Sequence, residues 1–121
     1  MRSLTFPLIL LLLAGPAYAD PRQPATLTCD LSTVQLNGKV SVSGCGFDVR
    51  YPVATFNVRF PNGGLEYFQV GVYPDGCLTT IVYASGGVGI YDVVAYQNLN
   101  YRNHATLMAE TTFEALKPGN R

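Results

Sequence analysis

The sequence contains no tryptophan, one histidine and few charged residues, which make up 13% of its 121 residues. A nucleophile and base pair would have to use His104, and no Gly-x-Ser-x-Gly elbow accompanies it. The glycines in residues 86–89 precede a predicted strand and not a helix, so they do not form a phosphate-binding loop. We therefore expect neither an enzyme nor a bound cofactor.

The sequence also lacks a charge block, a low-complexity segment and an internal repeat. Eight basic residues balance eight acidic ones. Such a balance gives no electrostatic reason to expect a nucleic acid or an anionic lipid as a partner.

Only one long apolar run is present, at residues 8–13. It follows Arg2 and precedes the small residues around Ala17 and Ala19, which is typical of a cleavable secretory signal peptide over residues 1–19. The run is shorter than the roughly 20 residues that cross a bilayer, so we expect no membrane insertion after cleavage. Residues 20–121 are enough for one domain, which we expect to be secreted or periplasmic.

Cysteine is scarce, with single residues at positions 29, 45 and 77. In an exported protein this number predicts one disulfide and one remaining thiol. None of these cysteines has the two-residue spacing of a zinc knuckle, and His104 is distant from all three. We therefore do not expect a metal site.

The residues that are abundant predict β-strands. Val40 and Val42 alternate with polar residues, as Phe56 and Val58 do, which is the pattern of half-buried strands. Residues 105–116 contain helix formers, but Thr111-Thr112-Phe113 favours a strand there. Seven extended segments separated by turn residues predict a β-sandwich. They cover residues 25–31, 39–45, 55–60, 66–72, 77–84, 90–96 and 105–116.

One hairpin has an inconsistent pattern. If Phe60 lay opposite Leu65, the apolar residues of the second strand would point away from those of the first. A shift of one residue moves every side chain to the other face, so we expect a bulge or a longer loop in this hairpin.

Three motifs stand out along the chain: the valine strand and Gly-x-Gly-Phe corner of residues 40–47, the Asp-Gly turn of residues 75–78, and the Gly-x-Tyr-x-Val strand of residues 89–95. Together they resemble the immunoglobulin-like domains common in bacterial exported proteins. The resemblance covers roughly residues 26–115 and implies an all-β, immunoglobulin-like sandwich of about seven antiparallel strands. It also implies a tyrosine corner, in which the Tyr91 hydroxyl bonds to nearby backbone. The chain departs from the usual pattern in having Cys45 at a position where a small residue is more common, and in lacking tryptophan.

The resemblance places the strand that carries Cys45 between the strands that carry Cys29 and Cys77. Either neighbour could form the bridge, since the chain-entropy model gives about 3 and 4 kcal/mol for the two loops. Counting by twos puts Cys45 and Cys77 on the outer face, whereas Cys29 shares the core side with Leu27 and Leu31. We therefore predict a Cys45–Cys77 disulfide with Cys29 as a buried free thiol. The alternative pairing is Cys29–Cys45. The functional alternative for a free Cys29 is a bridge between two copies of the chain or a redox site.

The resemblance further implies that residues 47–52, 73–76 and 97–104 meet at one end of the sandwich. These connections carry flat amphipathic rings and adaptable polar groups, which suit contact with a protein or glycan ligand. The candidate binding residues are Tyr51, Tyr73, Asp75, Asn98, Asn100, Tyr101, Arg102 and His104.

The leading hypothesis is therefore a binding or interaction module that uses this end. The alternative is that these residues bind nothing, because tyrosine and asparagine are well suited to solvent-facing turns. Two other functions compete: a structural accessory module that assembles through an exposed strand edge, and a small secreted inhibitor that inserts one loop into an enzyme.

Overall fold

A computed structural model describes residues 23–98 and 105–118. The predicted signal peptide, residues 1–19, lies outside these ranges, as do the candidate residues Asn100, Tyr101, Arg102 and His104. The described residues form eight β-strands: β1 (Thr28–Cys29), β2 (Thr33–Gln35), β3 (Lys39–Gly44), β4 (Val53–Arg59), β5 (Leu65–Gly71), β6 (Leu78–Tyr83), β7 (Gly89–Gln97) and β8 (Thr106–Leu116). None of these residues belongs to a helix with the length and apolar character needed to cross a membrane.

The strands form two sheets that face each other across a shared core. One sheet has the order β1-β3-β6, and the other has the order β2-β8-β7-β4-β5. The predicted all-β, sandwich-like class is confirmed. The described residues form eight strands, against the expected number of about seven, and the expectation that all strands are antiparallel was wrong, since β2 pairs with β8 in parallel.

The core consists of the inward-facing residues of both sheets. Alternation along β3 and β4 buries Val40, Val42, Phe56 and Val58 completely, as the sequence pattern predicted. The ring of Phe113 stacks on that of Tyr91, with the ring centroids 4.8 Å apart. β3 and β4 belong to different sheets, so the burial of their side chains, at about 1.5–3 kcal/mol each, holds the two sheets together.

The first predicted strand, residues 25–31, is shortened to β1, and a strand that was not predicted, β2, follows it in the other sheet. β1 ends at Cys29, and β2 begins at Thr33 in the other sheet. At the crossing the Ser41 amide donates to Asp30 Oδ1 at 2.9 Å. Leu31 lies in the crossing and is 46% exposed, so the prediction that it faces the core was wrong. Cys29 is half-buried, not fully buried, because its strand stops there.

The β4–β5 hairpin closes through a three-residue loop with a glycine bulge at Gly63, so the expected bulge is present and the loop is not longer. Phe56 lies directly opposite Phe68, so the apolar residues of both strands share the inner face. The Phe60 amide donates to the carbonyl of Gly64 at 2.8 Å, and the Gly63 amide donates to the carbonyl of Phe60 at 3.0 Å. The loop therefore consists of residues 61–63, one residue fewer than the loop that a pair of Phe60 with Leu65 would leave. Gly63 has a φ of 94°, which suits the final position of such a three-residue loop.

A register shift interrupts the β7–β8 pair between Ala95 and Tyr96. Ala109 pairs with Ala95 and Leu107 with Tyr96, which leaves Met108 as the additional residue of β8. The Met108 carbonyl instead accepts a hydrogen bond of 3.0 Å from the amide of Ala25. The bulge thus attaches the segment before β1 to the five-stranded sheet.

Tyr91 lies at the start of β7 and is fully buried. Its hydroxyl accepts a hydrogen bond of 2.7 Å from the Gly86 amide. The same hydroxyl donates to the carbonyl of Gly87 at 2.7 Å. The predicted bonding of this hydroxyl to the connection before the strand is confirmed.

Candidate functional site

The Cys45–Cys77 disulfide lies at one end of the three-stranded sheet, and its predicted pairing is confirmed. Cys45 directly follows Gly44 and Cys77 directly precedes Leu78, and these two neighbours form the last pair of β3 with β6. The bridge therefore lies next to two of the predicted loops, residues 47–52 and 73–76. Cys45 is exposed and Cys77 half-buried, in agreement with their outward direction.

Residues 47–52 and the turn at residues 73–76 are attached to each other next to this bridge. The amide of Phe47, whose side chain is 4% exposed, donates to the carbonyl of Gly76 at 3.0 Å. Gly76 has a φ of 84°, and a Cβ on it would lie 3.0 Å from the carbonyl oxygen of Phe47. Glycine is thus required at this position both by the turn and by the approach of the two loops.

Gln97, the last residue of β7, attaches residues 47–52 to the other sheet. Its side-chain oxygen accepts a hydrogen bond of 2.8 Å from the Asp48 amide. Its side-chain nitrogen donates to the Asp48 carbonyl at 3.0 Å. Gln97 is only 3% exposed, so both bonds form where water has little access. Two of the three predicted connections, together with the beginning of the third, are therefore held at one end.

Asp48 and Arg50 form an ion pair on the surface of this loop. The Arg50 guanidinium donates to Asp48 Oδ2 at 2.6 Å, with the arginine side chain 78% exposed. The Arg50 amide also donates to Asp48 Oδ1 at 3.0 Å. These bonds from Arg50 lower the pKa of Asp48 to about 2, and the same pair raises the pKa of Arg50. The guanidinium carbon lies 5.8 Å from the centre of the Tyr51 ring, within range of a cation–π contact.

An open cleft of about 430 Å³ lies between this loop, the end of β7 and the bulge of β8. It is lined by Pro24, Gly46, Asp48, Arg50, Tyr51, Gln97, Asn98, Thr106 and Met108. A second cleft of about 180 Å³ shares Tyr51, Gln97 and Asn98 with the first. The larger cleft offers an aromatic ring, an arginine, a carboxylate and a thioether side by side. This set suits a ligand with both apolar and hydrogen-bonding surfaces.

The structure brings together only some of the candidate binding residues. Tyr51 and Asn98 line both clefts. Tyr73 is 57% exposed but lies on the neighbouring turn, outside the lining of either cleft. Asp75 is also on that turn, where its Oδ1 accepts a hydrogen bond of 3.0 Å from the Cys77 amide. Asp75 therefore has a structural task in closing the turn.

Sequence reasoning missed Asp48, Arg50, Gln97 and Met108. Gln97 carried a usable signal, because counting by twos from the buried Val93 and Ala95 places it on the inner face. The bulge that turns Met108 toward the cleft has no local signature, since it depends on the pairing of β8 with β7.

Cys29, the free thiol, lies away from this site on β1. Its Sγ is 3.8 Å from the Thr112 carbonyl oxygen of β8. Burial raises the pKa of the thiol, and the charge of Asp30 raises it further. The protonated form is thus favoured, and a dimer through Cys29 stays a prediction. Within residues 23–98 and 105–118, no group of three or more His, Cys, Asp or Glu side chains is arranged so that it could hold a metal ion.

Comparison of the sequence with models of known protein families finds no match. Comparison with curated proteins likewise finds no match.

Proposed function

We propose that the chain is a secreted or periplasmic binding module whose ligand, a protein or a glycan, contacts the loop end of the sandwich. The loop end is defined here as residues 47–52, the turn at residues 73–76, and Gln97 with Asn98. The observation that carries the proposal is the cross-linking of these connections around an open cleft. Loops held on a rigid scaffold are the usual location of binding residues.

The fixed geometry of the loop end supports this function energetically. The disulfide, the bond between Phe47 and Gly76, and the two bonds of Gln97 restrain residues 47–52 before any ligand arrives. A ligand therefore binds loops that are already ordered in the folded protein, so these loops lose little conformational entropy on binding. Tyr51 and Arg50 are the leading contact residues, since tyrosine and arginine are enriched among residues that dominate binding energy.

The strand order supports an immunoglobulin-like topology for this module. Immunoglobulin sandwiches place strands A, B and E in one sheet and strands C, F and G in the other. If β3 is strand B and β7 is strand F, the observed orders β1-β3-β6 and β8-β7-β4 give the same neighbours. The hydroxyl bonds of Tyr91 on β7 match the tyrosine corner of that fold.

Screening on a glycan array and a panel of purified extracellular proteins, with matched variants, tests the proposal. For any ligand that binds the natural chain, we expect Tyr51→Ala combined with Arg50→Ala to weaken binding about tenfold or more. Tyr67→Ala is the control, because Tyr67 is 64% exposed on β5 and lies outside both loop-end clefts. Binding that is lost with Tyr67→Ala and kept with the loop variants would refute a loop-end site.

A second candidate function, assembly through a strand edge, is favoured by one observation. Among the described strands, β6 pairs with β3 on one side and with no strand on the other. The inhibitor hypothesis has no comparable support, because most of residues 97–104 lies outside the described ranges.

A further inference from the structure

The described strands leave four sheet edges, at β1 and β6 in one sheet and at β2 and β5 in the other. Three of them have features that discourage pairing with another chain. β1 and β2 are only two and three residues long. β5 is longer, but Glu66 lies opposite the buried Val58 and so places a charge on its inner face. Very short edge strands and inward-pointing charges are devices that prevent edge-to-edge association.

β6 has none of these devices. Its six residues, Leu78 to Tyr83, include no charged residue, no proline and no glycine. Threonine, isoleucine, valine and tyrosine are all residues that favour extended structure. Ile81 is 43% exposed and Tyr83 is 56% exposed, so both present apolar surface beside the open edge.

The backbone direction of β6 follows from the residue after it. The Ala84 amide donates to the Gly38 carbonyl at 2.8 Å, and the Ala84 carbonyl accepts from the Asn37 amide at 2.7 Å. Both polar groups of Ala84 therefore point toward the β3 side. Since these groups alternate along an antiparallel strand, those of Tyr83, Ile81 and Thr79 point toward the open edge.

The usable edge ends at Thr79. Cys77 is the next residue of the same parity, but its amide donates to Asp75 Oδ1 at 3.0 Å. Its carbonyl accepts a hydrogen bond of 2.9 Å from the Tyr73 amide. Three residues thus offer three amides and three carbonyls, centred on Ile81.

We propose that β6 pairs in antiparallel fashion with β6 of a second copy of this chain. In this register Ile81 lies opposite Ile81 of the second copy, and Thr79 lies opposite Tyr83. A two-fold axis through Ile81 then gives all the open groups of both strands a partner, and two three-stranded sheets become one continuous six-stranded sheet. This pairing goes beyond the binding function proposed above and does not rest on it.

The chemistry of β6 favours a second copy as the occupant. An uncharged strand meets no like-charge repulsion from its own duplicate, and the three open residues are self-complementary about their centre. A single strand pair buries much less than the roughly 1,000 Å² of a stable interface. We therefore expect an association that is weak and grows with protein concentration.

Sedimentation velocity over a wide concentration range tests this proposal, with Cys29→Ser in every variant to remove intermolecular disulfides. We expect a monomer–dimer equilibrium, and we expect Ile81→Lys to lower the association constant about tenfold or more because it places two like charges opposite each other. The matched control is Ile90→Lys, since Ile90 is 56% exposed on β7 in the other sheet. The control should dimerise like the parent, and circular dichroism should show that all variants are folded.

Amide hydrogen exchange supplies a second measurement at the level of single residues. The amides of Thr79, Ile81 and Tyr83 should become protected as the concentration rises, whereas those of Thr80 and Val82 are protected by β3 at every concentration. A monomer at all concentrations, or a dimer insensitive to Ile81→Lys, would overturn the proposal. Protection of these amides only on addition of a different protein would also overturn it.

Discussion

At the residue scale, two buried polar side chains hold the connections between strands in place. The Tyr91 hydroxyl bonds to the backbone of Gly86 and Gly87, and the amide of Gln97 bonds to the backbone of Asp48. An unsatisfied buried polar group costs about 1–3 kcal/mol, so each of these side chains fixes one arrangement of its loop. The bonding of Tyr91 was predictable from a resemblance that included its neighbours. The role of Gln97 was not, because its partner is distant in the chain.

The Asp48–Arg50 pair leads to a prediction about pH. The pKa of Asp48 is lowered to about 2, below the ordinary value of about 3.9 for an unfolded chain. The pair therefore stabilises the fold fully above about pH 4, and this contribution is lost as the pH falls toward 2. In Arg50→Ala we expect the pKa of Asp48 to rise toward its ordinary value. The rise should be incomplete, because the amide of residue 50 still donates to Asp48 Oδ1.

An NMR titration that follows the Asp48 carboxyl carbon measures this change. Arg59→Ala is the control, because Arg59 lies on β4, whereas the arginine that pairs with Asp48 is Arg50. An Asp48 midpoint in the natural chain near that of an ordinary aspartate would contradict the prediction.

At the scale of the elements, alternation predicted the strands that lie within a sheet and failed at the places where pairing is distant. β3, β4 and β7 have regular inward and outward positions along their lengths. β2 is only three residues long, and its partner β8 lies about 80 residues away, so no local pattern indicates it. The mismatch of the apolar faces correctly excluded a pair of Phe60 with Leu65, and the observed pairing of Phe60 with Gly64 removes it through the bulge at Gly63.

The end of β3 gives a prediction about packing between elements. A Cβ on Gly44 would lie 1.8 Å from the carbonyl oxygen of Thr26, so the segment before β1 passes directly over this glycine. We expect Gly44→Ala to push that segment away from the core and to lower the free energy of unfolding by about 3 kcal/mol. Ala25 and Leu27, which are 6% and 7% exposed, would lose part of their burial.

Gly71→Ala is the matched control for this substitution. Gly71 lies on β5, and a Cβ on it would have no atom within 4 Å. The control should be neutral, or stabilising by up to about 1 kcal/mol through the smaller entropy of the unfolded chain. Urea denaturation of the two variants gives the comparison, and equal effects at both positions would show that the close approach at Gly44 is absent in solution.

At the scale of the whole molecule, one shared core holds two sheets of unequal size together, and one disulfide joins β3 to β6 within the smaller sheet. The compositional argument predicted a single domain, and side-chain parity selected the correct cysteine pair. Parity succeeded because Cys45 and Cys77 end strands that pair in regular register as far as Gly44 and Leu78. The same count overstated the burial of Cys29, because it assumed that β1 continues to Leu31.

Removal of the disulfide should destabilise the whole domain. Cys45 and Cys77 are 32 residues apart, and closure of a loop of this length stabilises a fold by about 4 kcal/mol in the chain-entropy model. We expect the double variant Cys45→Ala, Cys77→Ala to lose about this much free energy of unfolding. Cys29→Ala is the control and should cost about 1 kcal/mol or less, because Cys29 is half-buried and unbridged. Chemical denaturation measures both, and similar losses in the two variants would contradict this account of the bridge.

The position of β8 has a consequence for the order of folding. β8 lies between β2 and β7 and is the last of the described strands in the chain. Until β8 is in place, β2 and one side of β7 lack their partners, and the Ala25 amide lacks the Met108 carbonyl that accepts its hydrogen bond. Contacts of such long sequence separation form slowly. The five-stranded sheet is therefore completed only when the last described strand, β8, pairs with β2 and β7.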